Sequence, residues 1–474
     1  MFTLDDIVQG NRDTVHFHDT TPPNPELIFH AAHHDSRQLE PGDLFIAIKG
    51  ERVDGHDFIP AVAKAGALGV LCTTPSADVP PDFLQIVVPD VVVALHATAR
   101  VRTQRQKHTT LIGITGSNGK TSTKEAVAAV LSRKAPTLKT QASYNNEIGY
   151  PLTLLRLEPQ HRYAVLEMGA QFVGELAWLS STIARPNWSL ITNVGASHLE
   201  YFGSQERVVI AKTELVQALA PDGIALLNYD DPNVRGMRTS TQARVLFYGQ
   251  DEAAAVRATA IGGDALFGRS FTLRYHGQEQ PVQLHFPGEH GITIALAAAA
   301  VGCAAEMSLA EIASALEKLP AAKGRGEIKV GPNGSTIIDD TYNANRQSIV
   351  AITQAMHTTR QSPTGKRWAV LGDIFELGSF AKAEHTATGA ALVGTIDYLV
   401  ALGDKAHYYV EGAIAAGMPE AHTYFYNADV NNAPEVEAAK RAVADLLKHE
   451  VHEGDLVLLK GSRGMRLETL LTLL

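Results

Sequence analysis

Residues 111–132 read LIGITGSNGKTSTKEAVAAVLS, and this stretch decides the fold. An apolar, β-branched run gives way to a Gly-rich turn and then to a helical pattern. That order predicts a strand, a phosphate-cradling loop and a helix. Glycines let backbone N–H groups converge on phosphate oxygens, and the helix N-terminus turns its positive end toward the anion. The candidate ATP-binding run is Gly113, Ile114, Thr115, Gly116, Ser117, Asn118, Gly119, Lys120 and Thr121. Lys120 is placed to reach the terminal phosphates, and the Thr121 hydroxyl to ligate Mg²⁺. One position departs from the strict motif: Ile114 stands where its first glycine belongs, with Gly113 one place earlier. A Gly-rich strand–helix turn is the plainer alternative, but Gly-Lys-Thr in this context favours a nucleotide.

The same alternation continues outward. YAVLEMG (163–169), WSLITNVG (188–195) and GIALLNYD (223–230) read as strands separated by helical stretches such as RVVIAKTELVQALA. This predicts a parallel sheet with helices on both faces. FTLRYHGQEQPVQLHF (271–286) alternates about a turn and predicts an antiparallel hairpin at the sheet edge. Before residue 108, PGDLFIAIKG (41–50) and IPAVAKAGALGVLCTT predict short strands and a helix that stops at Gly66. Beyond residue 318, STIIDD, RWAVLGD, DYLVALG, TYFY and DLVLLKG alternate with helical stretches. In the helix near 434–449, Val436, Ala439, Val443, Leu446 and Leu447 share one face, and Pro434 suits its first turn. The fold expected is α/β with three domains. They are a small α/β unit over 1–107, a P-loop ATPase-type sheet over 108–318 and a Rossmann-like, doubly wound unit over 319–474.

Length and composition agree with that division. The chain has 474 residues, 45% of them hydrophobic and 19% charged, which is globular and about three domains long. With 41 Lys+Arg against 51 Asp+Glu, the net charge of −10 excludes a nucleic-acid-coating protein. Two distant cysteines, Cys72 and Cys303, are too few for a disulfide framework. The first residues lack a basic, then apolar, leader, and the uncharged run 291–305 is shorter than a membrane span of about 20 residues. A soluble, cytoplasmic protein without membrane insertion is expected.

Polar residues just past strand ends are the other candidates, because open parallel sheets bind ligands at that edge. Glu167 suits either a Mg²⁺ ligand or a capping acid. His198, in NVGASHLEYFG, reads alone as a hydrogen-bonded structural histidine, since imidazole prefers softer metals than Mg²⁺. Lys212 lies near Val208, Val209 and Leu215 and reads alone as a snorkelling lysine. A buried lysine can become a reactive amine. His30, His33 and His34, beside Asp35, have a metal-like spacing but are read as turn residues. Asp340, Tyr342, Asn343 and Asn345 follow one strand of the third unit, Asp373 and Glu376 another, and Lys460, Ser462 and Arg463 a third. Three such sets on one edge favour a ligand surface.

Together these segments resemble the Mur ligases, the ATP-dependent amide-forming enzymes of bacterial cell-wall precursor synthesis. The resemblance spans almost the whole chain. It rests on DSRQLEPGDLFIAIKGERVDGHDF (35–58), GITGSNGKTST, NNEIGYPLTLL (145–155), EMG (167–169) and NVGASHLEYFG (193–203). It continues in GRGE (324–327), DDTYNAN (339–345), VLGDIFELG (370–378) and LLKGSRGM (458–465). The family pattern implies an enzyme that joins D-alanyl-D-alanine to UDP-N-acetylmuramoyl-tripeptide, using ATP and two Mg²⁺ ions through an acyl phosphate; a monomer is expected, with the sequence leaving the oligomeric state open. It implies that Thr121 and Glu167 share one ion and that His198 binds a second. Lys212 would be the lysine that CO₂ converts to a carbamate, and Lys120, His198 and Lys212 the catalytic set. Arg325 would contact phosphate and Asp340 the ribose. Ser36 and Arg37 would face the uridine end, and Asn145 and Asn146 the diphosphate. Asn343, Asn345, Lys460, Ser462 and Arg463 would hold the peptide substrates. Two positions depart from the pattern. Gly291 and Ile294 replace residues of a His-Asn-x-x-Asn run that contacts adenine, and Arg346 replaces a proline. The rival readings are a folylpolyglutamate-type ligase, which lacks this N-terminal segment, and a nucleotide-gated binding protein.

Overall fold

The computed structural model describes residues 1–18, 24–50, 53–142, 144–195, 199–285, 290–319, 323–359 and 364–474. Its N-terminal part is a five-stranded sheet in the spatial order 16–17, 84–87, 69–72, 44–46, 32–33. The neighbours are parallel except at the outermost 16–17 strand. The helix Ile59–Lys64 ends just before Gly66, and all four residues of Gly69–Cys72 are buried. A short unbroken apolar run is what a strand covered on both faces requires.

The central part is a nine-stranded sheet. β1 (Thr110–Thr115) leads into α1 (Lys120–Ser132), as the opening stretch predicts. β2 (Tyr163–Glu167) and β3 (Trp188–Ile191) flank β1 on its two sides, both parallel to it. The loops that leave these three strands therefore meet at one edge, where the chain switches direction across the sheet. α2 (Gln205–Gln217) follows β3 and buries Val208, Ala211, Lys212 and Leu215. The hairpin is present as Gly268–Tyr275 against Gln278–Gln283, and a third long strand, Val256–Asp264, joins it to the sheet. The Ala-rich run forms α3 (His290–Ala304), whose Ala295 and Ala297–Ala300 pack among Val127, Val130 and Leu131 of α1. It is a core helix; among the described residues no helix is long and apolar enough to cross a membrane.

The C-terminal part is a six-stranded sheet in the order 327–330, 336–340, 456–460, 367–372, 398–402, 423–426. β4 (Thr336–Asp340) precedes α4 (Arg346–Thr358), and β5 (Arg367–Gly372) follows. α5 (Ala433–Glu450) leads to the last strand, β6 (Leu456–Lys460), which inserts between β4 and β5. This insertion makes a second switch point, and the loops after β4, β5 and β6 gather there. The strand 327–330 is antiparallel to β4 and has no counterpart in the sequence reading, because two of its four residues are exposed. On α5 the buried face includes Val436, Ala439, Val443 and Leu447 as expected. Leu446 is only half-buried, and Lys440 joins the face instead by donating to Arg466 O (3.1 Å) and Thr469 Oγ1 (2.8 Å).

Candidate functional site

The phosphate loop is braced from beneath by the segment after β3. Ser117 N donates to Asn193 O (2.9 Å), Asn118 N to Asn193 Oδ1 (2.9 Å), and Thr192 Oγ1 to Asn118 O (2.7 Å). Gly116 adopts φ 149°, and a Cβ there would stand 1.9 Å from Thr192 Oγ1. Gly119, at φ 78°, caps α1 without a side chain, which leaves the helix N–H groups open toward the loop. Lys120 is half-buried and folds back, donating from Nζ to Gly116 O (2.7 Å) and Ser117 O (3.2 Å). Burial lowers its pKa; Glu167 opposes that shift and Arg325 adds to it, so both lie within electrostatic reach.

Glu167, at the tip of β2, is 1% exposed. Its Oε1 accepts from Asn145 Nδ2 (2.9 Å), and its Oε2 lies 3.7 Å from the ammonium of Lys124. Glu167 Oε2 and Thr115 Oγ1 are buried oxygens without a hydrogen-bond partner among the described residues. An orphaned carboxylate oxygen beside a phosphate loop fits a hard divalent cation such as Mg²⁺. The Thr121 hydroxyl, the other expected ligand, accepts from Arg325 Nη2 (3.1 Å). Lys212 is 1% exposed and stands 5.8 Å from the Phe202 ring centroid. Burial, aided by the charge of Lys120, pushes its pKa down to about 7, although Glu175 and Glu214 oppose the shift. A neutral amine is the form that reacts with CO₂, so the residue suits the carbamate expected of it. His198 lies outside the described residues.

The third unit closes onto this loop. Arg325 reaches Thr121, and its guanidinium lies 4.1 Å from the Tyr342 ring centroid, with Arg463 at 5.5 Å. Asn345 caps α4 by accepting from Ser348 N (2.8 Å) and donates from Nδ2 to Asn118 Oδ1 (2.6 Å). Gln347 Oε1 accepts from Asn118 Nδ2 (3.3 Å). Lys460 is 2% exposed; its Nζ donates to Asp340 Oδ2 (2.5 Å) and Asn343 O (2.9 Å). Ser462 Oγ accepts from Phe375 N (2.8 Å), and Arg463 pairs with Glu468 (2.8 Å). Arg346, in the place of a proline, pairs with Glu384 at 3.1 Å. Gly291 is buried and Ile294 half-buried on α3.

At the N-terminal side, Ser36 and Arg37 lie on a short 3₁₀ turn capped by Asp35. Arg37 is exposed, and its guanidinium holds the Asp35 carboxyl well below the usual carboxylate range. Tyr144 OH donates to Gln38 Oε1 (3.2 Å), which links this turn to the segment carrying Asn145 and Asn146. Asn146 Oδ1 accepts from Gly149 N (3.0 Å), so that side chain shapes the start of the next helix. His33 stands 3.5 Å from Asp43, and His30 Nδ1 is 3.3 Å from Pro41 O. No group of three or more His, Cys, Asp or Glu side chains able to hold a metal forms among the described residues. Lys124, Thr192 and Gln347 escape the sequence reading, and Asn193 is marked there only as part of the NVGASHLEYFG run. The roles of all four arise from contacts with residues distant in the chain.

Three family models match successive parts of the chain. "Mur ligase family, catalytic domain" matches residues 29–103, "Mur ligase middle domain" 114–302 and "Mur ligase, glutamate ligase domain" 324–463. A UDP-N-acetylmuramoyl-tripeptide–D-alanyl-D-alanine ligase of Mycobacterium bovis is 37% identical over 457 residues, covering 90% of this chain and 88% of that protein. The protein of the same name from Escherichia coli K12 is 39% identical over 376 residues, covering 79% and 81%. A crystal structure of MurF from Acinetobacter baumannii superposes with TM-score 0.85 at 31% identity, covering 99% and 98%. MurF ligase from Thermotoga maritima in complex with ADP gives TM-score 0.78 at 26% identity, covering 94% and 97%.

Proposed function

The chain belongs to the Mur ligase family, and on that premise we propose how it works as an ATP-dependent ligase joining D-alanyl-D-alanine to UDP-N-acetylmuramoyl-tripeptide in peptidoglycan precursor synthesis. We assign residues 1–107 to the sugar nucleotide, 108–318 to ATP and 319–474 to the incoming dipeptide. The carrying observation is the phosphate loop with the orphaned, buried Glu167 Oε2 beside it and Arg325 of the third unit donating to Thr121 at its helix start.

The loop N–H groups and Lys120 bind the ATP phosphates, with Lys120 leaving the Gly116 and Ser117 carbonyls to do so. Thr121, Glu167, His198 and carbamylated Lys212 would hold two Mg²⁺ ions, which neutralise phosphate charge when bound. The carbamate forms as the neutral Lys212 amine adds CO₂ and releases a proton. A tripeptide carboxylate oxygen attacks the γ-phosphorus; its P–O bond forms as the bond to ADP breaks. The dipeptide amine then attacks the acyl carbon, and inorganic phosphate leaves. Arg325 stabilises the moving phosphoryl charge from the third unit and Asp340 faces the ribose of ATP, while Asn343, Asn345, Lys460, Ser462 and Arg463 line the dipeptide side. Buried, unpaired Cys72 and Cys303 suit a cytoplasmic setting.

The test combines ATP, Mg²⁺, the UDP-tripeptide and D-alanyl-D-alanine. ADP release that requires both peptide substrates is expected. AMP release, or ADP release indifferent to the dipeptide, overturns the reading.

A further inference from the structure

Beside the phosphate loop, Lys124 is a fully buried cation to which the reaction gives no task. Lys124 lies one helical turn beyond Lys120 on α1, and its side chain is wholly out of solvent. An ammonium is costly to bury and persists where polar partners surround it. Its Nζ donates to Ala142 O (2.8 Å) and stands 3.7 Å from Glu167 Oε2 and 3.4 Å from Glu125 Oε1. Glu125 is in turn paired with Lys139. Ala142 sits at φ 44°, a left-handed conformation that a non-glycine residue holds only when its surroundings fix it.

Two neighbours of Ala142 complete the arrangement. Asn145 Nδ2 donates to Glu167 Oε1 (2.9 Å), and Asn145 O accepts from Gly169 N (2.8 Å), just past β2. Tyr144 OH reaches Gln38 on the turn that carries Ser36 and Arg37. The two oxygens of Glu167 thus answer to nearby residues, Oε1 through Asn145 and Oε2 through Lys124 and Ala142. Tyr144 carries the connection on to the turn of Ser36 and Arg37.

We propose that Lys124 is a positioning residue that couples substrate contact at Tyr144 and Asn145 to the carboxylate of Glu167, so that the UDP-tripeptide and the metal-nucleotide bind cooperatively. Glu167 would hold the divalent cation, whose charge would push the Lys124 ammonium toward Ala142 O. Substrate held by Tyr144 and Asn145 would in turn fix Glu167 for the cation, since coupling between two sites is reciprocal. The proposal rests on the function assigned above and adds how its two substrate sites communicate.

Calorimetry on the full chain tests it, using Mg²⁺ with a non-hydrolysable ATP analogue, with and without saturating UDP-tripeptide. In the wild type the tripeptide should tighten nucleotide binding roughly tenfold. In Lys124→Met that ratio should fall to about one while the nucleotide still binds. Lys124→Gln keeps a donor for Ala142 and should retain part of it. Thermal unfolding checks that the variants are folded, and the glutamine variant carries the comparison if the methionine one is not. Hydrogen exchange on the wild type needs no variant: peptides covering 139–146 should gain protection when the Mg²⁺-nucleotide is added. An undiminished ratio in a folded variant, a wild-type ratio of one, or no gain in protection overturns the coupling role alone. A wild type that does not bind the UDP-tripeptide overturns the assigned function, and this proposal with it.

Discussion

Gly116 is the tightest point of the phosphate loop. A methyl group there would meet Thr192 Oγ1 at 1.9 Å, and φ 149° is a conformation L side chains rarely adopt. Gly116→Ala should therefore weaken binding of an ATP analogue at least tenfold by calorimetry, with the helical circular dichroism signal retained. Lys212 is the second residue whose surroundings decide its chemistry. With its pKa pushed down to about 7, about half the amine is neutral at pH 7 and most of it at pH 8. An ordinary lysine, near 10.4, is almost wholly charged at either value. Carbamate should therefore form increasingly as pH rises through 7. ¹³C-bicarbonate should give a carbamate resonance that Lys212→Ala lacks. Turnover of that variant should collapse and recover in part with short carboxylates. The sequence shows Lys212 only as a lysine on an amphipathic helix; its burial depends on Phe202 and the sheet beneath.

At the scale of elements, the end of β5 shows how a strand tip stores a pH response. Asp373 accepts from Asp404 N (3.0 Å) and Lys405 N (3.1 Å), yet burial outweighs these bonds and raises its pKa from 3.8 to about 6. The folded chain then keeps a proton that the unfolded chain has released between those two values. This contribution is full below about pH 4 and is lost as pH rises to about 6, at up to about 1.4 kcal/mol per pH unit. Melting temperatures of wild type and Asp373→Asn, compared from pH 4 to 7, should show the wild type losing ground across that window. The helix α1 and the strands β1 to β6 were legible in the sequence because apolar period and turn chemistry are local. The strands 256–264 and 327–330 were not. Each has exposed positions, and each owes its place to a neighbour that completes its hydrogen bonds.

At the scale of the molecule, the third unit meets the phosphate loop through few groups. Arg325 reaches Thr121 and Asn345 reaches Asn118. Arg325→Ala should raise the KM for ATP roughly tenfold and lower kcat, as expected for a charge-assisted contact worth about 1.5–3 kcal/mol. Unchanged values would show that the third unit docks without serving the phosphates. The sequence by itself determined the phosphate loop, because its cradle is contiguous backbone whose glycines, lysine and threonine each have a fixed local task. It also determined the α/β alternation and, by resemblance, the family. Only the tertiary structure decided which distant groups meet: Arg325 with Thr121 across 204 residues, and Asn345 with Asn118 across 227. It alone turned Lys124 from an ordinary lysine into a buried link. Burial and electrostatic coupling depend on what packs from elsewhere in the chain, and local periodicity carries no record of it.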